Sequence, residues 1–156
     1  MSACVIVRAG DTAKAERAMG QALERRPGDA ELLLDRAFAR AEAKHWKDAV
    51  ADLDQVLQQR PEHAQAWLYR AAARKALQDF RGAEQDADRA LQLQPDSADA
   101  LLLRGNLKAR RGDAEGAAGD WQRLLTLAPA GSEAARAAAS NLEQLRAGRA
   151  KGEKEK

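Results

Sequence analysis

Apolar residues recur along this chain at two spacings, one short and one long. The short spacing is helical: Ala49, Leu53, Val56 and Leu57 fall on one face, with charged and amide residues between them, as in an amphipathic helix with one buried stripe. The long spacing is 34 residues. Alanine stands at Ala15, Ala49, Ala83 and Ala117, and leucine at Leu23, Leu57, Leu91 and Leu125. A large apolar residue occupies Leu33, Trp67 and Leu101, a small one Ala37, Ala71 and Gly105, and a further column runs Met19, Leu53, Ala87 and Trp121. The chain's four prolines, Pro27, Pro61, Pro95 and Pro129, keep the same interval. A proline lacks the N–H a helix interior needs and pushes its predecessor out of the α region, so each one ends a helix and restarts the chain.

With proline placed at position 32 of each unit, the repeats run 30–63, 64–97 and 98–131, after a partial repeat at 1–29. Each unit predicts two helices, A and B: positions 4, 7, 8 and 11 share one face of A, and positions 20, 24, 27 and 28 one face of B. The stretches "AGDTAKA" at 9–15 and "RGDAEGA" at 111–117 predict the turn between A and B, with glycine ending one helix and aspartate capping the next. Asp11 to Arg26 reads as a helix B whose partner helix A is cut short at 2–9, which suggests an excised fragment or a truncated cap. After the last repeat, Ser132 is placed as an N-cap, and Ala135, Ala138, Ala139, Leu142 and Leu145 form one stripe, predicting a capping helix over 132–147. The remainder, 148–156, is expected to be a disordered charged tail.

Composition agrees with helices. The 45% apolar share is mostly alanine and leucine, with few aromatic or β-branched residues, which favours helix over strand. With 26 basic and 24 acidic residues the net charge is only +2, too small an excess to draw nucleic acid or an anionic membrane. No apolar run is long enough for a membrane span, and "ACVIV" at 3–7 lacks the basic flank and length of a signal peptide. One cysteine, Cys4, forms no internal disulfide and in its apolar stretch reads as a packed thiol, so the cytoplasm is the default compartment. A periplasmic home is the alternative if the chain was cut from a longer anchored protein. The alanine- and arginine-rich wording suggests a GC-rich bacterial genome.

The pattern of a large residue at position 4, small residues at 8 and 20, and proline at 32 resembles the tetratricopeptide repeat over roughly residues 1–131. The resemblance implies an all-α fold: a right-handed superhelical solenoid of antiparallel helix pairs, here three full repeats, a partial N-terminal one and a C-terminal capping helix. Two columns depart from the family pattern. Position 7, often leucine, is Arg36, Arg70 and Arg104, and sixteen residues on stand Asp52, Asp86 and Asp120, predicting three equivalent salt bridges between A and B. Position 11, usually tyrosine, is Arg40, Arg74 and Lys108, expected to be a partly exposed, snorkelling row.

No catalytic constellation is legible. His45 and His63 lack a second ligand at metal spacing and read as surface residues; no phosphate loop accompanies the glycines; and no metal or cofactor is expected. A non-catalytic binding module is the remaining reading. The resemblance implies a concave wall built from helix A, and its inward positions map here to Leu34, Asp35 and Phe38, to Leu68, Tyr69, Ala72 and Lys75, and to Leu102, Leu103, Asn106 and Arg110. Leu34, Phe38, Leu68, Tyr69, Leu102 and Leu103 are expected to form an exposed apolar strip that takes a peptide or helix of another protein by its apolar anchors.

Two alternatives stay open: a scaffold that self-assembles through its open N-terminal repeat, and an accessory domain of a larger enzyme or secretion machine. A chaperone C-terminal tail fits poorly. The family members that bind one hold its carboxylate with lysine, asparagine and arginine, where this chain has Leu34, Phe38, Tyr69, Asp99 and Leu103.

Overall fold

The computed structural model describes residues 9–154, and every described element is an α-helix. They are α1 (Ala9–Arg25), α2 (Ala30–Glu42), α3 (Trp46–Gln59), α4 (Ala64–Ala76), α5 (Phe80–Leu93), α6 (Ala98–Arg110), α7 (Ala114–Leu127) and α8 (Glu133–Lys154). The chain divides after Asp79 into two compact units, α1–α4 and α5–α8.

The local chemistry repeats with the sequence. Each proline lies in the junction between a B helix and the next A helix, and a side chain just beyond it caps the new helix. Asp29 Oδ1 accepts from the Glu31 and Leu32 amides at 3.1 and 3.2 Å, and His63 Nδ1 from Ala66 N–H at 3.2 Å. Ser97 and Ser132 use their hydroxyls in the same way on Ala100 and Ala135, at 3.3 and 3.2 Å. His63 is therefore a helix cap, a role its sequence neighbourhood did not reveal.

At the A-to-B turns, Lys44, Gln78 and Gly112 occupy one repeat position and share a left-handed backbone, with φ of 62°, 65° and 90°. Each turn closes with the same pair of bonds: Lys44 N–H to Ala41 O and His45 N–H to Arg40 O, repeated at Gln78 and Asp79, and at Gly112 and Asp113. This is a Schellman turn in triplicate. Asp113 then caps α7 by accepting from Gly116 N–H at 2.9 Å. The turn expected at Ala9–Asp11 is absent. Those residues lie inside α1, where the charge of Asp11 in the first turn suits the positive end of the helix dipole. The truncated helix A expected at 2–9, and Cys4 with it, lie outside the described residues except for Ala9.

In the first unit Leu23, Leu33, Leu34, Ala37, Leu53, Val56, Leu57 and Ala66 form one core, with Trp67 and Tyr69 packed against it. In the second, Leu101, Leu103, Leu107, Trp121, Leu124 and Leu142 are buried among alanines. Volume is traded across the A–B contact. Ala37 pairs with Leu53 in register, whereas Gly105 pairs with Trp121, and a Cβ on Gly105 would come within 2.5 Å of the indole nitrogen.

The arginine–aspartate staples are present within each unit. Arg36 donates twice to Asp52, at 2.9 and 2.7 Å, and Arg104 twice to Asp120, at 2.8 and 2.6 Å. Of the middle pair, Arg70 belongs to the first unit, where it donates to Asp54 at 2.7 Å, and the buried Asp86 to the second. The position-11 row is partly exposed, as expected, but the heads of Arg40 and Lys108 turn to buried carboxylates rather than to water. Arg40 donates to Asp52 at 2.7 Å and to Glu16 at 3.0 Å, and Lys108 sits 3.0 Å from Asp120. A buried aspartate takes two cations here because its lone pairs, withdrawn from water, need that many donors.

The capping helix also departs from expectation. It continues to Lys154, so 148–154, expected to be a disordered tail, is helical, since alanine, lysine, arginine and glutamate propagate a helix and no proline stops it. Ala139, placed on its buried stripe, is exposed, while Ala135, Ala138 and Leu142 are buried.

Candidate functional site

The first unit carries a cleft of about 250 Å³ lined by Phe38, Ala41, Glu42, Trp46, Tyr69 and Ala72, with Ala37 and Leu53 beneath. Helix α2 supplies Phe38, Ala41 and Glu42, α4 supplies Tyr69 and Ala72, and Trp46 is the first residue of α3. Phe38 and Tyr69 stand with ring centroids 5.8 Å apart and planes tilted by 45°, an arrangement aromatic pairs favour. Gln65 Nε2 donates to the Tyr69 hydroxyl at 2.7 Å, fixing that ring from the solvent side. Phe38 itself is 44% exposed, a large apolar side chain left on the surface. Asp35, one turn from Phe38 and exposed, has its carboxyl pushed above the ordinary value by partial burial and by the neighbouring charge of Glu31.

The residues chosen from sequence are distributed unevenly. Phe38, Tyr69 and Ala72 meet in the cleft, Leu68 is half-buried, and Asp35 and Lys75 are exposed. Leu34 and Leu103, expected on the open strip, are each only 9% exposed and belong to the cores of their units, because a helix A in a stacked array is covered on more than its A–B face. Leu102 is half-buried.

Asn106, expected to face a partner, is engaged internally: its Oδ1 accepts from Trp121 Nε1 at 3.2 Å and from Asn141 Nδ2 of α8 at 2.9 Å. Arg110 is exposed and its guanidinium lies over Phe80. Trp46 was missed. Its signal was an aromatic column at the first residue of helix B, shared by Trp46 and Phe80 and 34 residues apart.

No group of three or more His, Cys, Asp or Glu placed to hold a metal occurs among the described residues, and no described helix is long and apolar enough to cross a membrane. Two tetratricopeptide-repeat family models match the sequence, one over residues 7–73 and the other over 73–139. The chain belongs to the tetratricopeptide-repeat family. Solved structures of the family share the all-α solenoid fold. A crystal structure of MamA superposes with a TM-score of 0.77 at 21% identity, covering 86% of this chain and 79% of that one. The tetratricopeptide domain of Arabidopsis OM64 gives 0.69 at 26% identity, covering 75% and 93%. The first such domain of Spaghetti (RPAP3), solved with the HSP90 peptide SRMEEVD, gives 0.68 at 23% identity over 75% and 93%. No curated protein matches the chain. A tetratricopeptide fold is typical of modules that bind other proteins.

Proposed function

We propose that this protein is a non-catalytic recognition module that seats a peptide or helix of another protein by an apolar anchor in the Phe38–Tyr69 cleft. One observation supports the reading above the others: Phe38 is left exposed beside a ready-made apolar cleft, although Ala37 and Ala39 on either side of it are buried. An exposed aromatic next to a hole of side-chain size is how protein surfaces present an anchor site. Exposed Asp35 and Glu42 give the surroundings of the cleft a negative cast, Glu31 beyond them being paired with Arg60, and of the basic residues of α4 only Lys75 is exposed, so a segment bearing basic residues around its anchor suits it. A terminal carboxylate held at these positions does not, since Leu34 is buried and Phe38 and Tyr69 offer it no cationic donor.

Selection from a random peptide library tests the reading. Enriched peptides should carry a bulky apolar residue, and each should bind Phe38→Glu about tenfold or more weaker than wild type. Phe38 is exposed, so the variant should keep its helical circular dichroism. Peptides that bind both proteins alike would remove the cleft from the account.

A further inference from the structure

A second cleft, of about 490 Å³, opens in the second unit and is lined by Phe80, Arg81, Glu84, Leu107, Arg110 and Arg111. It lies between the start of α5 and the end of α6. Its floor is apolar, with Leu107 only 3% exposed and Phe80 half-buried. The guanidinium carbon of Arg110 sits 3.9 Å from the Phe80 ring centroid, a cation–π contact that fixes the head of an otherwise flexible side chain. Arg111 is engaged by Glu84 at 3.2 Å and Asp113 at 3.0 Å. Arg81 and Arg110 are exposed and have no carboxylate partner among the described residues. The arginines that lie between packed helices, Arg36, Arg40 and Arg104, are by contrast each paired with a carboxylate.

We propose that this cleft is a recognition site for an acidic protein segment, an aspartate or glutamate meeting Arg81 and Arg110 while a neighbouring apolar side chain lies on Phe80 and Leu107. The surface is distinct from the Phe38 cleft and does not depend on it. Charge complementarity selects the occupant: with Arg111 held by Glu84 and Asp113, the guanidiniums of Arg81 and Arg110 remain to meet an anion, and one already oriented on a ring loses little freedom on meeting a carboxylate. A nucleic-acid backbone is the poorer match. Glu84 stands within the lining and Asp113 beside Arg111, so the positive charge is two isolated heads rather than a track for successive phosphates, and the whole chain carries only +2.

The probe is a fluorescein-labelled peptide, Glu-Leu-Asp-Glu-Leu-Asp, titrated by anisotropy and mapped by amide chemical shifts on the full chain. The expected result is binding with shifts centred on Phe80, Arg81, Leu107 and Arg110. The isosteric peptide Gln-Leu-Asn-Gln-Leu-Asn and the double variant Arg81→Gln with Arg110→Gln should each weaken binding about tenfold, as lost charge-assisted hydrogen bonds do. Should the double variant lose helicity, the comparison of the two peptides decides alone. No binding up to about 1 mM, equal binding of the neutral peptide, shifts centred on Phe38 and Tyr69, or tighter binding of a single-stranded oligothymidylate would each overturn the proposal.

Discussion

Phe38 and Asn106 occupy the same position of the first and third repeats, 68 residues apart, and do opposite things. Phe38 is exposed beside a cleft, whereas Asn106 is half-buried and accepts two hydrogen bonds, one from the Trp121 indole and one from Asn141. The difference lies in the element that packs next to each repeat. Beside the first stands another repeat, whose α4 brings Tyr69 to the side of Phe38; beside the third stands α8, which brings Asn141 to Asn106. A repeat position thus names a place on a helix, and the neighbouring element decides whether that place serves binding or stability.

The largest effects should strike what the two units share. Asp52→Ala leaves Arg36 and Arg40 facing each other without their buried anion, and Asp120→Ala does the same to Arg104 and Lys108. Each should cost about 3 kcal/mol or more by urea denaturation, with similar losses for the two variants. If one is nearly neutral, the staples are not equivalent.

Packing separates the units next. Gly105→Ala drives a methyl into Trp121 and should cost about 1–3 kcal/mol, a clash that Ala37, opposite Leu53, shows no need to avoid. Asn106→Ala should cost about 1–2 kcal/mol by stranding the Trp121 N–H, whereas Phe38→Ala should change stability by less than about 1 kcal/mol and show itself in binding.

Acid should act on both units with the same sign. The hydrogen bond from Arg40 holds the Glu16 carboxyl below its ordinary value. Burial alone would raise Asp120, but the hydrogen bonds from Arg104 and Lys108 outweigh it and hold that carboxyl low as well. A carboxyl depressed in the folded state stabilises above its unfolded pKa, so stability should be lost as pH falls below about 4. Asp35 runs the other way: raised on folding, its charge works against the fold at neutral pH. Asp35→Asn should therefore be at least as stable as wild type at pH 7, the gap closing below about pH 4.

The smallest expected effect is a gain. Lys44→Gly or Gln78→Gly, placing glycine where Gly112 already stands with the same left-handed backbone, should stabilise by up to about 1 kcal/mol. Thermal melts should show that gain, and a loss for Gly112→Ala.

Much of this fold was legible because its determinants are local. Prolines, caps and the small–large columns act within a few residues, and the Arg36–Asp52 and Arg104–Asp120 staples needed only two helices in register. The candidate site was legible only in part. Phe38, Tyr69 and Ala72 were found from their positions, but the burial of Leu34 and Leu103 and the engagement of Asn106 depend on elements packed from outside the repeat. The second cation on each aspartate was missed for a related reason: Arg40 and Lys108 read as partly exposed, snorkelling stems, whereas the carboxylates beneath them needed a further donor.

The most direct test of the central claim compares one selected apolar-anchored peptide, by isothermal titration, on wild type, Phe38→Ala and Leu102→Ala. A cleft in the first unit predicts a loss of about tenfold or more for Phe38→Ala and no change for Leu102→Ala. Equal affinity for wild type and Phe38→Ala, or a loss confined to Leu102→Ala, would contradict it.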